Sequence, residues 1–159
     1  MEPRISVITL GVSNLEHSLS FYRDGLGLPT KGIIGQEFDH GAVAFFDLSG
    51  GLKLALWAQA DIAHDTGLPV QRISPTAVTI VHNVARPEEV DQCMAAAERA
   101  GAQVVKALQD TFYGGYTGYF RDPDGHLWEI VWNPDLLPPE KHRSLRTHAL
   151  SLVATLRHP

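Results

Sequence analysis

Glu129 is the residue best placed for chemistry. It interrupts an otherwise apolar run, Leu127-Trp128-Glu129-Ile130-Val131-Trp132. Side chains alternate along a strand, so Glu129 shares a face with Leu127 and Val131. A carboxylate on such a wall is costly without a partner. Two roles follow: acid–base work, or a neutral structural bond to Thr79 or a nearby Tyr. Eight histidines are the other candidate acid–base and metal-binding groups. His17, His64, His142, His148 and His158 read as solvated, and His126 as exposed in a turn. His40 precedes a strand and is placed to reach a rim. His82 shares a face with Ile80 and Val84, away from Thr79 and Val81, and turns inward only through a bulge at His82-Asn83. Trp57, Phe112, Tyr113, Tyr116, Tyr119 and Phe120 supply aromatic surface. Those of Asp110–Gly118 share that stretch with three glycines, which suits a rim loop. Aromatic walls with few polar groups suit planar or apolar ligands.

Composition narrows the classes. The chain has 159 residues, 44% of them hydrophobic and 19% charged, enough to bury a core. A net charge of −5 leaves no basic surplus for a phosphate backbone, so no nucleic-acid partner is expected. Cys93 is the single cysteine, which excludes an internal disulfide, a zinc finger and CxxC redox chemistry. No apolar run approaches the roughly 20 residues that span a bilayer. Met1-Glu2-Pro3-Arg4 carries no leader pattern, so a soluble, cytoplasmic protein without a membrane partner is expected.

The elements that must position these residues come in two series. Ile5–Val12 reads as a strand, and Ser13 with Glu16 as a capping box that opens a helix bearing Leu15, Leu19, Tyr22 and Leu26. Gly25 and Gly27 end that helix, and strands follow at 32–36, 42–48 and 52–57. Residues 58–75 read as a linker. Then Thr76–Val84 is a strand, Pro87 opens a helix with Val90, Met94 and Ala97 inward, and Gly101 stops it. Strands at 103–107, 115–121 and 126–132 complete the series, the last two joined by the turn Asp122-Pro123-Asp124-Gly125. Val12 aligns with Val84 at a shift of 72, and Gly27 with Gly101 and Gly51 with Gly125 at 74. The order βαβββ therefore occurs twice.

Two stretches carry a family resemblance: LGVSNLEHSLSFYRDGLGLP at 10–29 and GYFRDPDGHLWEIVWNP at 118–134, with HNVARPEEVD at 82–91 between them. The chain resembles the vicinal oxygen chelate superfamily, which includes glyoxalase I, extradiol dioxygenases and bleomycin-resistance proteins. The resemblance implies an α+β fold of two βαβββ modules, each curling its sheet into a cup. It also implies, for the metal enzymes, a divalent ion held by the first and last strands of each module. The four ligand positions fall on Val7, Ala55, Thr79 and Glu129. A divalent ion needs several anionic or imidazole donors. Only Glu129 is charged, so no metal and no cofactor are expected, and extradiol chemistry, which needs two His and a carboxylate, is not expected either.

The expected organisation is a first module at 4–57, a linker at 58–75, a second module at 76–134 and a helical tail at 135–159. The tail helix, 140–157, stripes Leu145, Ala149, Leu152, Val153 and Leu156 opposite four basic residues. That stripe and the resemblance together imply a homodimer. The expected function is binding of a small organic ligand, in the manner of bleomycin-resistance proteins. Glu129, Thr79, Trp57, Tyr113, Tyr116 and Tyr119 would contact it. The alternative is a glyoxalase-like lyase or isomerase using Glu129 as acid–base group or metal ligand.

Overall fold

The computed structural model describes residues 1–71, 74 and 76–136. The tail helix expected over 140–157 lies outside the described residues. Among the described residues the βαβββ order occurs twice. The first module comprises β1 (Val7–Val12), α1 (Leu15–Ser20) continued by a π-helical turn at Phe21–Gly25, β2 (Thr30–Ile34), β3 (Val43–Asp47) and β4 (Lys53–Ala58). The second comprises β5 (Thr79–Val84), α3 (Pro87–Arg99), β6 (Gln103–Asp110), β7 (Tyr116–Arg121) and β8 (Leu127–Trp132). Between them α2 (Gln59–Thr66) occupies part of the expected linker. It ends on Gly67 at φ +73°, the left-handed cap that glycine adopts without a Cβ penalty. Its apolar period is weak, which is why the sequence reads there as a connection.

The sheets are ordered β1-β4-β3-β2 and β5-β8-β7-β6. In each, the first and last strands of the module run parallel and the remaining pairs antiparallel. The repeat extends to register: Val7 pairs with Lys53 and Thr9 with Ala55, as Thr79 pairs with Leu127 and Val81 with Glu129. These partners are related by the same shifts, 72 as for Val12 and Val84, and 74 as for the paired glycines.

One face of each sheet is closed by a helix. Leu10, Val12, Phe46, Leu54 and Leu56 of the first module join Val84, Val90, Met94, Phe120, Trp128 and Ile130 of the second in one buried cluster. The two helices meet closely. A Cβ placed on Gly25 would come within 2.3 Å of the Ala100 Cβ, so only glycine fits there. Pro87 opens α3 as expected, and its inward stripe of Val90, Met94 and Ala97 is buried. The expected capping box at Ser13 does not form. Asn14 is the cap of α1, accepting from the His17 backbone N–H at 2.9 Å. Ser13 is drawn instead to the other module, where its N–H and hydroxyl both donate to Asp124 Oδ1 at 2.7 Å.

Candidate functional site

The open face of the second sheet is built by alternation. Its registers set three rows across β5, β8 and β7: Thr79–Leu127–Arg121, Val81–Glu129–Tyr119 and Asn83–Val131–Thr117. Glu129 is central. Thr117, itself buried, places its hydroxyl 2.9 Å from both Glu129 Oε1 and the Ile130 carbonyl, with one proton to share between them. Tyr119 meets Glu129 across the strands. Its hydroxyl is pushed up to about 12, first by burial, then by its hydrogen bond to Glu129 and that carboxylate's charge. Lys106 of β6 stands over the Tyr119 ring, 5.5 Å from its centroid. The carboxylate thus has the tyrosine partner that one of the two sequence alternatives required.

The other singled-out residues divide between three places. Thr79 lies on this open face, one row from Glu129. Tyr113 is 39% exposed in the loop between β6 and β7, near Tyr119. That loop is closed by the Thr111 N–H donating to the Gly115 carbonyl at 2.9 Å and the Gly115 N–H to the Thr111 hydroxyl at 2.8 Å. Tyr116 falls on the opposite, helix-covered face. Its hydroxyl donates to Asp91 of α3 at 2.9 Å, and that bond holds its pKa above the usual phenol value. Trp57 belongs to the first sheet, where its row is Gly11–Trp57–Val43. Its indole N–H donates to the His40 carbonyl at 3.1 Å.

His40, of the first module, lies against α2. It adopts φ +60°, rests its ring 3.9 Å from that of His64, and sets Nδ1 2.7 Å from Asp61. His82 keeps to the helix face, in register with Ile130. Desolvation holds its pKa below the ordinary imidazole value, against the charge of Glu89.

The positions that would hold the superfamily's divalent ion are Val7, Ala55, Thr79 and Glu129 in this register. They offer one carboxylate and one hydroxyl, which do not fit such an ion. Among the described residues no group of three or more His, Cys, Asp or Glu side chains is arranged to hold a metal.

A second polar constellation was not foreseen. His126 is not exposed: its side chain is 12% accessible, with Nδ1 2.7 Å from the fully buried Asp122. Asp122 also accepts from the Tyr22 hydroxyl at 2.6 Å and from two backbone N–H groups, those of Asp124 and His126. Trp128 Nε1 donates to the Tyr22 hydroxyl at 3.0 Å. Burial pushes the Asp122 carboxyl up, but the bonds from His126 and Tyr22 outweigh it and leave the group below the usual carboxylate range. Burial likewise lowers His126, and Asp122 outweighs that and raises it. Both shifts favour an ion pair. Tyr22 is raised well above its usual value by burial and by Asp122. Asp124 completes the seam, with Oδ2 accepting from Ser18 at 2.6 Å. The only sequence signal was the Asp122…His126 spacing across the turn.

Comparison with known proteins agrees with this geometry. Residues 4–130 match the model of the Glyoxalase/Bleomycin resistance protein/Dioxygenase superfamily. A glyoxalase-related enzyme from Fulvimarina pelagi is 34% identical, with 83% of this chain and 89% of that one aligned at a TM-score of 0.71. A glyoxalase/bleomycin resistance protein/dioxygenase from Nocardioides is 25% identical over 88% of this chain and 90% of its own, at 0.66. A lactoylglutathione lyase from Agrobacterium tumefaciens, 22% identical over 84% and 96% at 0.60, shares the fold.

Proposed function

The chain belongs to the Glyoxalase/Bleomycin resistance protein/Dioxygenase superfamily, and from that membership we propose that it is a binding protein for a small organic ligand, working without a divalent metal. The ligand lies on the open face of the second module. Its polar end meets Glu129, and its flat or apolar part packs against Tyr119 and Tyr113. What supports this is the row Val81–Glu129–Tyr119, a carboxylate steadied by Thr117 and Tyr119 on a face that no helix of the described residues covers. The donor set of Val7, Ala55, Thr79 and Glu129 supports binding by shape and hydrogen bonding over ion chelation. The chain acts as a homodimer. This rests on the family and on the apolar stripe of the tail sequence, and a monomer by light scattering at micromolar concentration would count against it.

The deciding experiment is a ligand screen by thermal shift on protein of measured metal content. Glu129→Gln keeps the shape and removes the charge, so a ligand found for the wild type should bind it more weakly. Stoichiometric nickel, zinc, iron or manganese bound through Glu129 would overturn the metal-free reading. One observation favours a second reading, a lyase or isomerase. Glu129 bonded to a tyrosine that keeps its proton to about 12 is a pair suited to moving a proton to and from carbon. Under that reading a bound ligand exchanges a carbon-bound hydrogen in deuterated water with the wild type and not with Glu129→Gln.

A further inference from the structure

Arg121 ends β7 on the open face, one row beyond Tyr119 and opposite Leu127. Beside it the two modules leave a cavity of about 760 Å³. Sites for small molecules commonly enclose roughly 300–1,000 Å³. The apolar walls are Ile8 and Leu10 of β1, Ile80 of β5 and Leu127 of β8, with Arg121 and His126 as basic groups and Asp124 as an acidic one. Glu129 does not line it.

The guanidinium is the unexplained element. Arg121 Nε is buried and has no hydrogen-bond partner among the described residues. No acid there lies within ion-pairing distance of Arg121. A buried donor is nearly always satisfied, because an unmade bond leaves its desolvation uncompensated. The two carboxylates that flank it in sequence are committed elsewhere. Asp122 is held by Tyr22, His126 and backbone N–H groups, and Asp124 by Ser13 and Ser18. An always-charged fork of donors therefore borders a largely apolar space whose acid, Asp124, is taken up by Ser13 and Ser18 and forms no ion pair with it.

We propose that this cavity binds a small organic anion. A carboxylate or phosphate head pairs with the Arg121 guanidinium, and a short apolar body packs on Ile8, Leu10, Ile80 and Leu127. Planar carboxylate and tetrahedral phosphate oxygens both match the guanidinium fork, and the pair gains strength in a space walled by hydrocarbon. His126, whose pKa Asp122 raises, lines the same wall. Arg121 and Leu127 form the row next to Glu129, but Glu129 does not line the cavity, so the two readings are tested by different residues.

The test titrates hexanoate, hexyl phosphate and, as an uncharged control, hexanol into the full chain. The Arg121 Nε–Hε signal is followed by nitrogen–proton NMR and affinity by calorimetry. At least one anion should shift that signal saturably below about 10 mM while hexanol leaves it in place. Hexanoate alone would identify a carboxylate head, and hexyl phosphate alone a phosphate. Arg121→Gln should weaken the binding at least about tenfold. Should Arg121→Gln not fold, Arg121→Lys and the wild-type signal carry the test. No saturable shift with either anion, an equal response to hexanol, or unchanged affinity in Arg121→Lys and Arg121→Gln would overturn the proposal.

Discussion

The two modules have the same backbone and opposite chemistry. On the face of the first sheet turned away from α1, where Gln59 and Ile62 of α2 pack over Gly11, the rows are Val7–Lys53–Asp47, Thr9–Ala55–Phe45 and Gly11–Trp57–Val43. Its charges sit at one end, where Lys53 pairs with Asp47. The corresponding rows of the second hold Arg121, Glu129, Tyr119, Asn83 and Thr117. The turns show the same contrast. Leu48 N–H donates to the Leu52 carbonyl at 2.9 Å, and at the equivalent place Asp122 N–H donates to the His126 carbonyl at 3.0 Å. Gly51 and Gly125 take φ of +83° and +92° in the two turns. The shared glycines and apolar alternation set the path of the chain. The exchange of Leu48 and Leu52 for Asp122 and His126 makes one turn a cap and the other a seam between modules. Duplication supplies the frame, and a few side chains set the two halves apart.

That contrast can be broken most severely at Asp122. Asp122→Ala should cost about 3–5 kcal/mol in chemical denaturation, because it strands a buried histidine, a tyrosine hydroxyl and two backbone donors. A cost comparable to that of an ordinary surface change would erase the distinction between the turns. Tyr22→Phe keeps the ring contacts with Phe46 and Trp128 and removes only the hydroxyl that bridges Asp122 and Trp128. Its expected cost is about 1–3 kcal/mol, read in the same way.

The pH dependence sharpens the comparison further. His126 has its folded pKa raised above 6.5, so its contribution is whole below that value and is lost as pH rises through the folded one. Asp122 has its folded pKa lowered below 3.8, so its contribution is whole above that value and is lost as pH falls through the folded one. Stability from the pair should therefore peak between these limits, and His126→Gln should flatten the alkaline side of a melting-temperature profile. A profile unchanged by that substitution would mean the pair contributes nothing. The smallest stability effect belongs to the open face. Glu129→Gln removes the hydrogen-bonding carboxylate but not the burial at Tyr119. An ultraviolet titration should then find that tyrosine ionising below about 12, with little change in melting temperature.

Much of this frame could be read from residues close in sequence. The alternation in Leu127–Trp132, the glycines at 27, 51, 101 and 125, and Pro87 before an apolar stripe all act locally, so they fixed strands, turns and the repeat. What escaped was set by distance. Ser13 had the right neighbour in Glu16 to cap its own helix, yet Asp124, 111 residues away, claims it. His126 reads as a turn residue until Tyr22 and Asp122 close over it, 100 residues apart. Tyr116 was one residue out of phase: the strand begins at 116, and alternation then puts Thr117 and Tyr119, not Tyr116, beside Glu129. Local pattern carries the period of a strand. It does not carry which polar group of a distant module will satisfy it.

The seating of Tyr22 between Asp122 and Trp128 also bears on how the chain is made. During synthesis the first module emerges before its hydrogen-bond partners exist, since Trp128 follows Tyr22 by 106 residues. The N-terminal βαβββ unit must therefore wait with an apolar helix face and Tyr22 uncovered, the circumstance in which nascent domains recruit chaperones or aggregate. Closing so long a loop is slow, because its entropy is lost before the contact rewards it. A chain cleaved in the segment between modules should accordingly give two fragments that remain poorly folded apart and recover their structure on mixing.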